Sequence, residues 1–373
     1  DSDGKVYAWG LNSSGQLGDN STTNSSVPVA VTTSGALSGK TITAITTGVT
    51  HTVALDSDGK IYAWGDNDNG QLGDNSTTNS SVPVAVTTSG ALSGKTITAI
   101  AAGTNYTIAL DSDGKVYAWG DNNYGHLGDG STTDSSVPVA VTTSGALSGK
   151  TITAVAGGTK HSLALDSDGK VYAWGLNSSG QLGNNSTTDS SVPVAVTTSG
   201  ALSGKTITAV AQGSHSRHTV ALDSDGKIYA WGINSSGQLG NNSTTDSSVP
   251  VAVTTSGVLS GKTITALAAG ADHTIARDIG GTVYAWGENN YGHLGDGSTT
   301  DSSVPVKVLG VDGSGYLDLG SADATAPTVS SLSPADGATG VATTANLVIT
   351  FDEAVDAESG NITLYKSDDT QIQ

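Results

Sequence analysis

Seven histidines, 34 carboxylates and no cysteine set the chemistry open to this 373-residue chain. Four histidines, His51, His161, His218 and His273, stand at matching places along the chain, and Tyr106 takes that place once. Imidazoles at a fixed spacing could hold a metal, which needs its nitrogen ligands at about 2 Å. A tyrosine standing in for one of them points instead to packing and hydrogen bonding. His215 and His218 lie three apart, but in a stretch without a nearby carboxylate. The Asp-Ser-Asp-Gly tetrads, at 56–59 and 111–114 among others, invite a calcium reading because hard cations take oxygen ligands. They lack the further ligands and distal glutamate of a calcium loop and fit a tight turn, where Asp-Gly tolerates positive φ. Better oxygen clusters are Asp352, Glu353 and Asp356, and the linker region near Asp323 and Asp336; calcium is the one cofactor expectation, and it falls there. Gly-Ala-Leu-Ser-Gly-Lys-Thr at 90–96 approaches a phosphate-binding loop but is one residue short. It also runs into a β-branched segment with no helix N-terminus to hold an anion. With no cysteine nucleophile, no G-x-S-x-G elbow and no HExxH pair, a non-catalytic protein is expected.

The elements that position these residues repeat. A block of about 55 residues restarts at Asp1, Asp56, Asp111, Asp166, Asp223 and, as DIGGTVYAWG, at Asp278. The one irregularity is two extra residues in GSHSRH before the fifth restart. Such a period marks propellers, solenoids and arrays. Within one unit, four apolar runs at 96–102, 106–110, 115–120 and 137–141 are short and rich in Val, Ile, Thr, Tyr and Trp, which suits strands rather than helices. The long polar stretch 120–136 is a surface loop. Each unit is thus a four-stranded antiparallel sheet that must stack on neighbours to bury its faces, and radial closure into a β-propeller is the natural outcome. All six tryptophans (Trp9, Trp64, Trp119, Trp174, Trp231, Trp286) share one strand position, where packing between adjacent blades is expected.

The combined pattern GxxHTVALDSDGKVYAWGxNxxGQLG resembles the regulator-of-chromosome-condensation repeat over residues 1–320. The resemblance implies an all-β, seven-bladed β-propeller; six Trp-Gly repeats are visible. The chain opens at the third strand of a blade, so earlier strands are expected upstream. Residues 309–320 read as one more inner strand able to complete the ring with N-terminal residues. After a linker at 321–327, residues 328–373 resemble the start of a bacterial immunoglobulin-like domain of surface-layer or adhesin type. Its strands are expected at 328–332, 346–351 and 360–366, a partial β-sandwich, and further immunoglobulin-like domains are expected in the same chain.

Composition narrows the partners. The formal charge of −19 comes from 34 acids against 15 bases. Ten of those bases occupy repeat positions such as Lys5 and Lys40, and only Lys160, Arg217, Arg277, Lys307 and Lys366 fall outside the pattern. Phosphate contacts dominate nucleic-acid affinity, so DNA, RNA and anionic membrane are poor partners. This also weighs against the nucleotide-exchange role known in the repeat's namesake. No apolar stretch reaches the length of a membrane span.

Where near-identical copies differ, they differ in two loops. One carries Thr50, Asn105, Lys160, Ser214, His215, Ser216, Arg217 and Asp272. The other carries Asp66, Asp68, Tyr124, His126, Tyr291 and His293. These are the candidate ligand-binding residues, for a protein or glycan. The expected function is a non-catalytic binding or structural module of a bacterial cell-surface or secreted protein, acting in adhesion or matrix assembly. The alternative is a secreted inhibitor that covers an enzyme's active site with its propeller face.

Overall fold

The computed structural model describes residues 1, 3–313 and 315–320, with the backbone of Val329–Ser333 and Val348–Phe351. The chain divides into two compact units, Asp1–Leu319 and Gly320–Gln373.

The first unit is all-β. Blade 1 is a two-stranded sheet of β1 (Tyr7–Gly10) and β2 (Ser25–Ala30). Blade 2 is complete, with β3 (Ile42–Thr47), β4 (His51–Asp56), β5 (Ile61–Gly65) and β6 (Ser80–Ala85) in sequential antiparallel order. Blades 3 to 6, at 97–140, 152–195, 207–252 and 264–307, repeat that four-stranded order. Among the described residues no helix is long and apolar enough to cross a membrane.

The repeat's chemistry explains the blade. In β4 and β5 each Ala of the HTVAL run faces a Tyr, Ala54 opposite Tyr62, and the pairing recurs as Ala109–Tyr117, Ala164–Tyr172, Ala221–Tyr229 and Ala276–Tyr284. The small residue leaves room for the ring. The turn between these strands is closed by its first aspartate. Asp111 Oδ1 accepts the N–H groups of Asp113 (2.9 Å) and Lys115 (2.8 Å), while Oδ2 accepts the Tyr117 hydroxyl (3.0 Å). Lys95, from the connector that resembled a phosphate loop, reaches Asp111 at 3.3 Å and Asp113 at 3.0 Å. Both the tetrad and the connector lysine therefore serve the blade's own turn. Gly114 sits at φ +72, where a Cβ would also meet Thr151 Cγ2 at 2.7 Å, so this turn demands glycine twice over.

Blades lock to one another through tryptophan. Trp64, Trp119, Trp174, Trp231 and Trp286 are fully buried. Each indole N–H donates to a carbonyl of the preceding blade, at Gln16, Gln71, His126, Gln181 and Gln238 respectively, over 2.9–3.0 Å. Trp9 is different: it is 62% exposed, with Tyr7, Leu11 and Ile45 exposed around it. Among the described residues no carbonyl accepts the Trp9 indole N–H. Residues 309–320 likewise make no ladder with β1 or β2 among the described residues. They pair within themselves at Leu309–Tyr316 and with blade 6 at Thr282–Asp318.

In the second unit, Val329–Ser333 and Val348–Phe351 pair antiparallel, Val329 opposite Phe351 and Leu332 opposite Ile349. The strand expected at 360–366 and the calcium candidates Asp323, Asp336, Asp352, Glu353 and Asp356 lie outside the described residues.

Candidate ligand-binding face

Both variable loops leave the same end of every blade. One joins the first two strands and the other follows Trp-Gly, so antiparallel order puts both opposite the Asp-Ser-Asp-Gly turns. In each of blades 2 to 6 a backbone hydrogen bond stitches them together. The N–H of the residue after Trp-Gly donates to the residue before the second strand: Asp66 to Thr50, Asp121 to Asn105, Leu176 to Lys160, Ile233 to Arg217 and Glu288 to Asp272, over 2.8–3.2 Å. Variation in one loop is thereby matched, blade by blade, to variation in the other.

The result is a face with a sign change around it. Blades 2 and 6 present Asp66 and the Asp272–Glu288 pair, whereas blades 4 and 5 present Lys160 and Arg217 beside Leu176 and the buried Ile233; Asp121 of blade 3 is buried. Contacts cross between blades. Lys160 Nζ lies 3.6 Å from Asp121 Oδ2 and 4.7 Å from the centre of the Tyr124 ring. Gln238 Nε2 donates to Asp272 Oδ1 at 3.1 Å. Within blade 2, Thr50 Oγ1 and Gln71 Nε2 both donate to Asp66 Oδ2, at 3.2 and 2.9 Å.

The inserted loop of blade 5 reaches furthest. Thr104 Oγ1, two blades away, donates to the Ser214 carbonyl at 2.7 Å, and Thr159 Oγ1 to the Ser216 carbonyl at 3.1 Å. Ser216 is fully buried and its hydroxyl donates to the His218 carbonyl at 2.7 Å. Ser216 is therefore corrected from loop tip to internal tie, and the insertion fastens three blades together. His215 and Arg217 flank it on the exposed side.

His126 is corrected as well. It is fully buried, packed edge-on against Tyr106 with ring centres 4.5 Å apart, and its Nε2 stands 3.7 Å from Asp121 Oδ2. Burial, opposed by the Asp121 charge, lowers its pKa to about 4. Among the described residues neither ring nitrogen has a hydrogen-bond partner. Its counterpart in blade 6 is more open: His293 stacks on His273 at 5.2 Å, with Glu288 at 3.9 Å and the exposed Tyr291 alongside. Asp68, Tyr124 and His215 are exposed, Thr50, Asp66, Asn105, Lys160, Ser214 and Asp272 half-buried.

The repeated histidines are inter-blade pins. His51 Nε2 lies 3.2 Å from Thr107 Oγ1, His161 Nε2 3.3 Å from Thr219 Oγ1 and His218 Nε2 2.9 Å from Thr274 Oγ1. Tyr106 does the same work by donating its hydroxyl to the His161 carbonyl at 2.6 Å. Burial lowers His51 to about 4 and His161 and His218 to about 3. Asp121 escapes a reading by sequence difference alone, and so does the reach of Thr104, a residue of the varying loop. Asp121 repeats the residue at 66, and Thr104 acts at a distance of 110 residues.

A propeller that concentrates its variable side chains on one loop face is a recognition scaffold, and comparison with known proteins gives the family. The RCC1-like domain model matches residues 1–262, and RCC1 repeat models match 264–292 and 280–317. The chain belongs to the RCC1-like family. The bacterial Ig-like domain model matches residues 323–373. Similar proteins include the ultraviolet-B receptor UVR8 of Arabidopsis thaliana, 36% identical over 83% of this chain and 67% of its own length. The E3 ubiquitin-protein ligase HERC2 of Homo sapiens is 33% identical over 83% of this chain, which spans only 6% of that protein. Human WBSCR16 shares the fold at a TM-score of 0.70 and 23% identity, covering 82% of this chain and 77% of that one. Prp20p of Saccharomyces cerevisiae does so at 0.52 and 22%, covering 83% and 86%.

Proposed function

We propose that the first unit is a non-catalytic protein-binding module that reads its partner with the stitched loop face. Membership of the RCC1-like family supports a protein-binding module. The observation that carries the finer reading is the paired variation: each blade offers two hydrogen-bonded positions, and their charge changes sign around the ring. Such a face suits a partner with a basic patch over blades 2 and 6 and an acidic one over blades 4 and 5, since charge complementarity sets register and on-rate. Exposed Tyr124, Tyr291 and Arg217 are of the residue types that anchor interfaces. We further propose that the module works at a cell surface or in a secreted assembly, in adhesion or matrix building. Its Ser/Thr/Asn-rich acidic composition and the match of residues 323–373 to the bacterial Ig-like domain support this.

A photo-crosslinker placed at Tyr124 or Tyr291, compared with one at Ser57 on the opposite end of the blades, tests the reading. A specific adduct is expected from the loop face only, and Arg217→Glu should abolish it. Equal adducts from both ends, or adducts indifferent to Arg217→Glu, would sink it.

A further inference from the structure

The tripeptide Asn-x-Ser/Thr recurs in the loops of blades 1 to 5, and the fold treats its asparagines in two ways. Most are structural. Asn12, Asn177 and Asn234 are fully buried. Their Nδ2 groups donate to the carbonyls of Ser21 and Thr23, Ser186 and Thr188, and Ser243 and Thr245, over 3.0–3.1 Å. Asn24 and Asn79 accept the N–H groups of Asn12 and Asn67, and Asn184 and Asn241 accept the Nδ2 groups of Asn177 and Asn234. Blade 3 fills these two acceptor places with Asp134 and Asp129, so an oxygen is what they require. In Asn105-Tyr106-Thr107 the tyrosine and threonine are fully buried.

Asn20, Asn75, Asn185 and Asn242 are of the other kind. Each opens an Asn-Ser-Thr, and both the asparagine and its threonine (Thr22, Thr77, Thr187 and Thr244) are exposed. The next blade holds the backbone N–H of each, yet no side-chain amide of the four makes a hydrogen bond among the described residues. Asn185 and Asn242 belong to blades 4 and 5, which have complete blades on either side, so their exposure does not depend on a chain end. Blades 3 and 6 place Gly130 and Gly297 here; the fold needs a left-handed backbone at this point and no side chain. Those same two loops carry Tyr124 and Tyr291 where the others have Ser14, Asn69, Ser179 and Ser236. Free asparagine and tyrosine exclude one another, blade by blade.

We propose that Asn20, Asn75, Asn185 and Asn242 are acceptor sites for N-linked glycans, which fence four blades and leave blades 3 and 6 bare for a protein partner. Asn-x-Ser/Thr is the acceptor triplet, and its bulky sugar needs a surface loop. The proposal rests on the reading of a surface or secreted module. In the transfer, Nδ2 bonds to the anomeric carbon of an oligosaccharide carried on a polyprenyl pyrophosphate. The bond from that carbon to the phosphate oxygen breaks, the lipid pyrophosphate leaves with the electron pair, and the amide loses one proton to the transferase.

The test supplies the folded full chain to a purified oligosaccharyltransferase and its lipid-linked oligosaccharide. The transferase is one that modifies a synthetic peptide of residues 173–190 at both Asn177 and Asn185. Glycopeptide mass spectrometry of the folded chain should find the sugar's mass on Asn20, Asn75, Asn185 and Asn242, and none on Asn12, Asn105, Asn177 or Asn234. Gly130→Asn should gain a further site at 130, where a Cβ has no neighbour nearer than 3.9 Å and asparagine tolerates the left-handed backbone. Asn185→Gln should lose its own site alone. A folded chain left unmodified would overturn the assignment, as would equal occupancy of Asn177 and Asn185 in the folded chain. Because the transferase is supplied in solution, the result is independent of where the chain travels, which fractionation of its source cells tests separately.

Discussion

Trp9 and Trp174 occupy the same letter of the same repeat, yet one is 62% exposed and the other is sealed. The sequence around them, VYAWGLNSSGQLG, is identical in both repeats. What differs is what precedes them: a whole blade at 97–140 stands before the blade of Trp174, whereas the sequence opens eight residues before Trp9. Trp174 meets the His126 carbonyl at 2.9 Å and a glycine, Gly128, whose missing Cβ leaves room for the indole. The core of this molecule therefore lies between blades rather than within them, and a repeat's contribution depends on what is stacked against it.

The largest expected effect breaks that comparison directly. Trp174→Ala should cost about 3–5 kcal/mol, as large-to-small changes at buried aromatics do. Trp9→Ala should cost less than about 1 kcal/mol, as surface substitutions do. Urea titrations of the two variants against the parent measure both. A similar loss at the two sites would mean that Trp9 is packed in solution.

Acid should separate the same interfaces by their pins. His51, His161 and His218 are held neutral by burial, at about 4, 3 and 3, against about 6.5 in an unfolded chain. Between those values the unfolded state binds protons that the folded state refuses, so stability is full above about pH 7 and falls as pH drops through 6.5. The turn aspartates add a second step. Burial pushes Asp166 up, but the N–H groups of Lys170 and Asp168, the Tyr172 hydroxyl and Lys150 outweigh it and hold the carboxyl low. Its stabilisation is present above about pH 4 and is lost below that. Copying the Tyr106 solution with His51→Tyr should flatten the slope between pH 7 and 5 while leaving the acid step below pH 4. Denaturation midpoints across pH 3–8 decide this; an unchanged slope would remove His51 from the account.

How much of this was legible follows from where each signal resides. The blades, their turns and the shared tryptophan position could be read because propensity, alternation and turn chemistry all lie within one 55-residue unit. The variable loops were legible as differences between copies, and the structure joins them with a bond whose partners are 16 residues apart, as Thr50 and Asp66 are. Burial of His126 and Ser216 was not legible. It depends on Tyr106 and on the tie from Thr159 to the inserted loop, contacts that no local pattern records.

The smallest effect sharpens the comparison at backbone level, where blades are not all alike. Asn20, Asn75, Asn185 and Asn242 adopt φ of 61–66, and the corresponding sites in blades 3 and 6 are Gly130 and Gly297, at φ +88 and +81. The loop needs a left-handed residue there because its N–H must reach the next blade. Asn185 donates to the Ser248 carbonyl at 2.9 Å as Gly130 does to Ser191. Gly297 makes no such bond among the described residues; a Cβ on it would meet Leu309 Cδ1 at 3.1 Å. Asn185→Ala should therefore cost roughly 1 kcal/mol, since alanine tolerates positive φ poorly, whereas Asn185→Gly should be close to neutral. The same pair of substitutions at Asn20, whose N–H reaches Ser81 at 2.9 Å, should give the same difference even though blade 1 has only two strands. If Asn20→Ala costs nothing, the lock between blades 1 and 2 is looser than its hydrogen bond implies, and the contrast between Trp9 and Trp174 extends across the whole first interface.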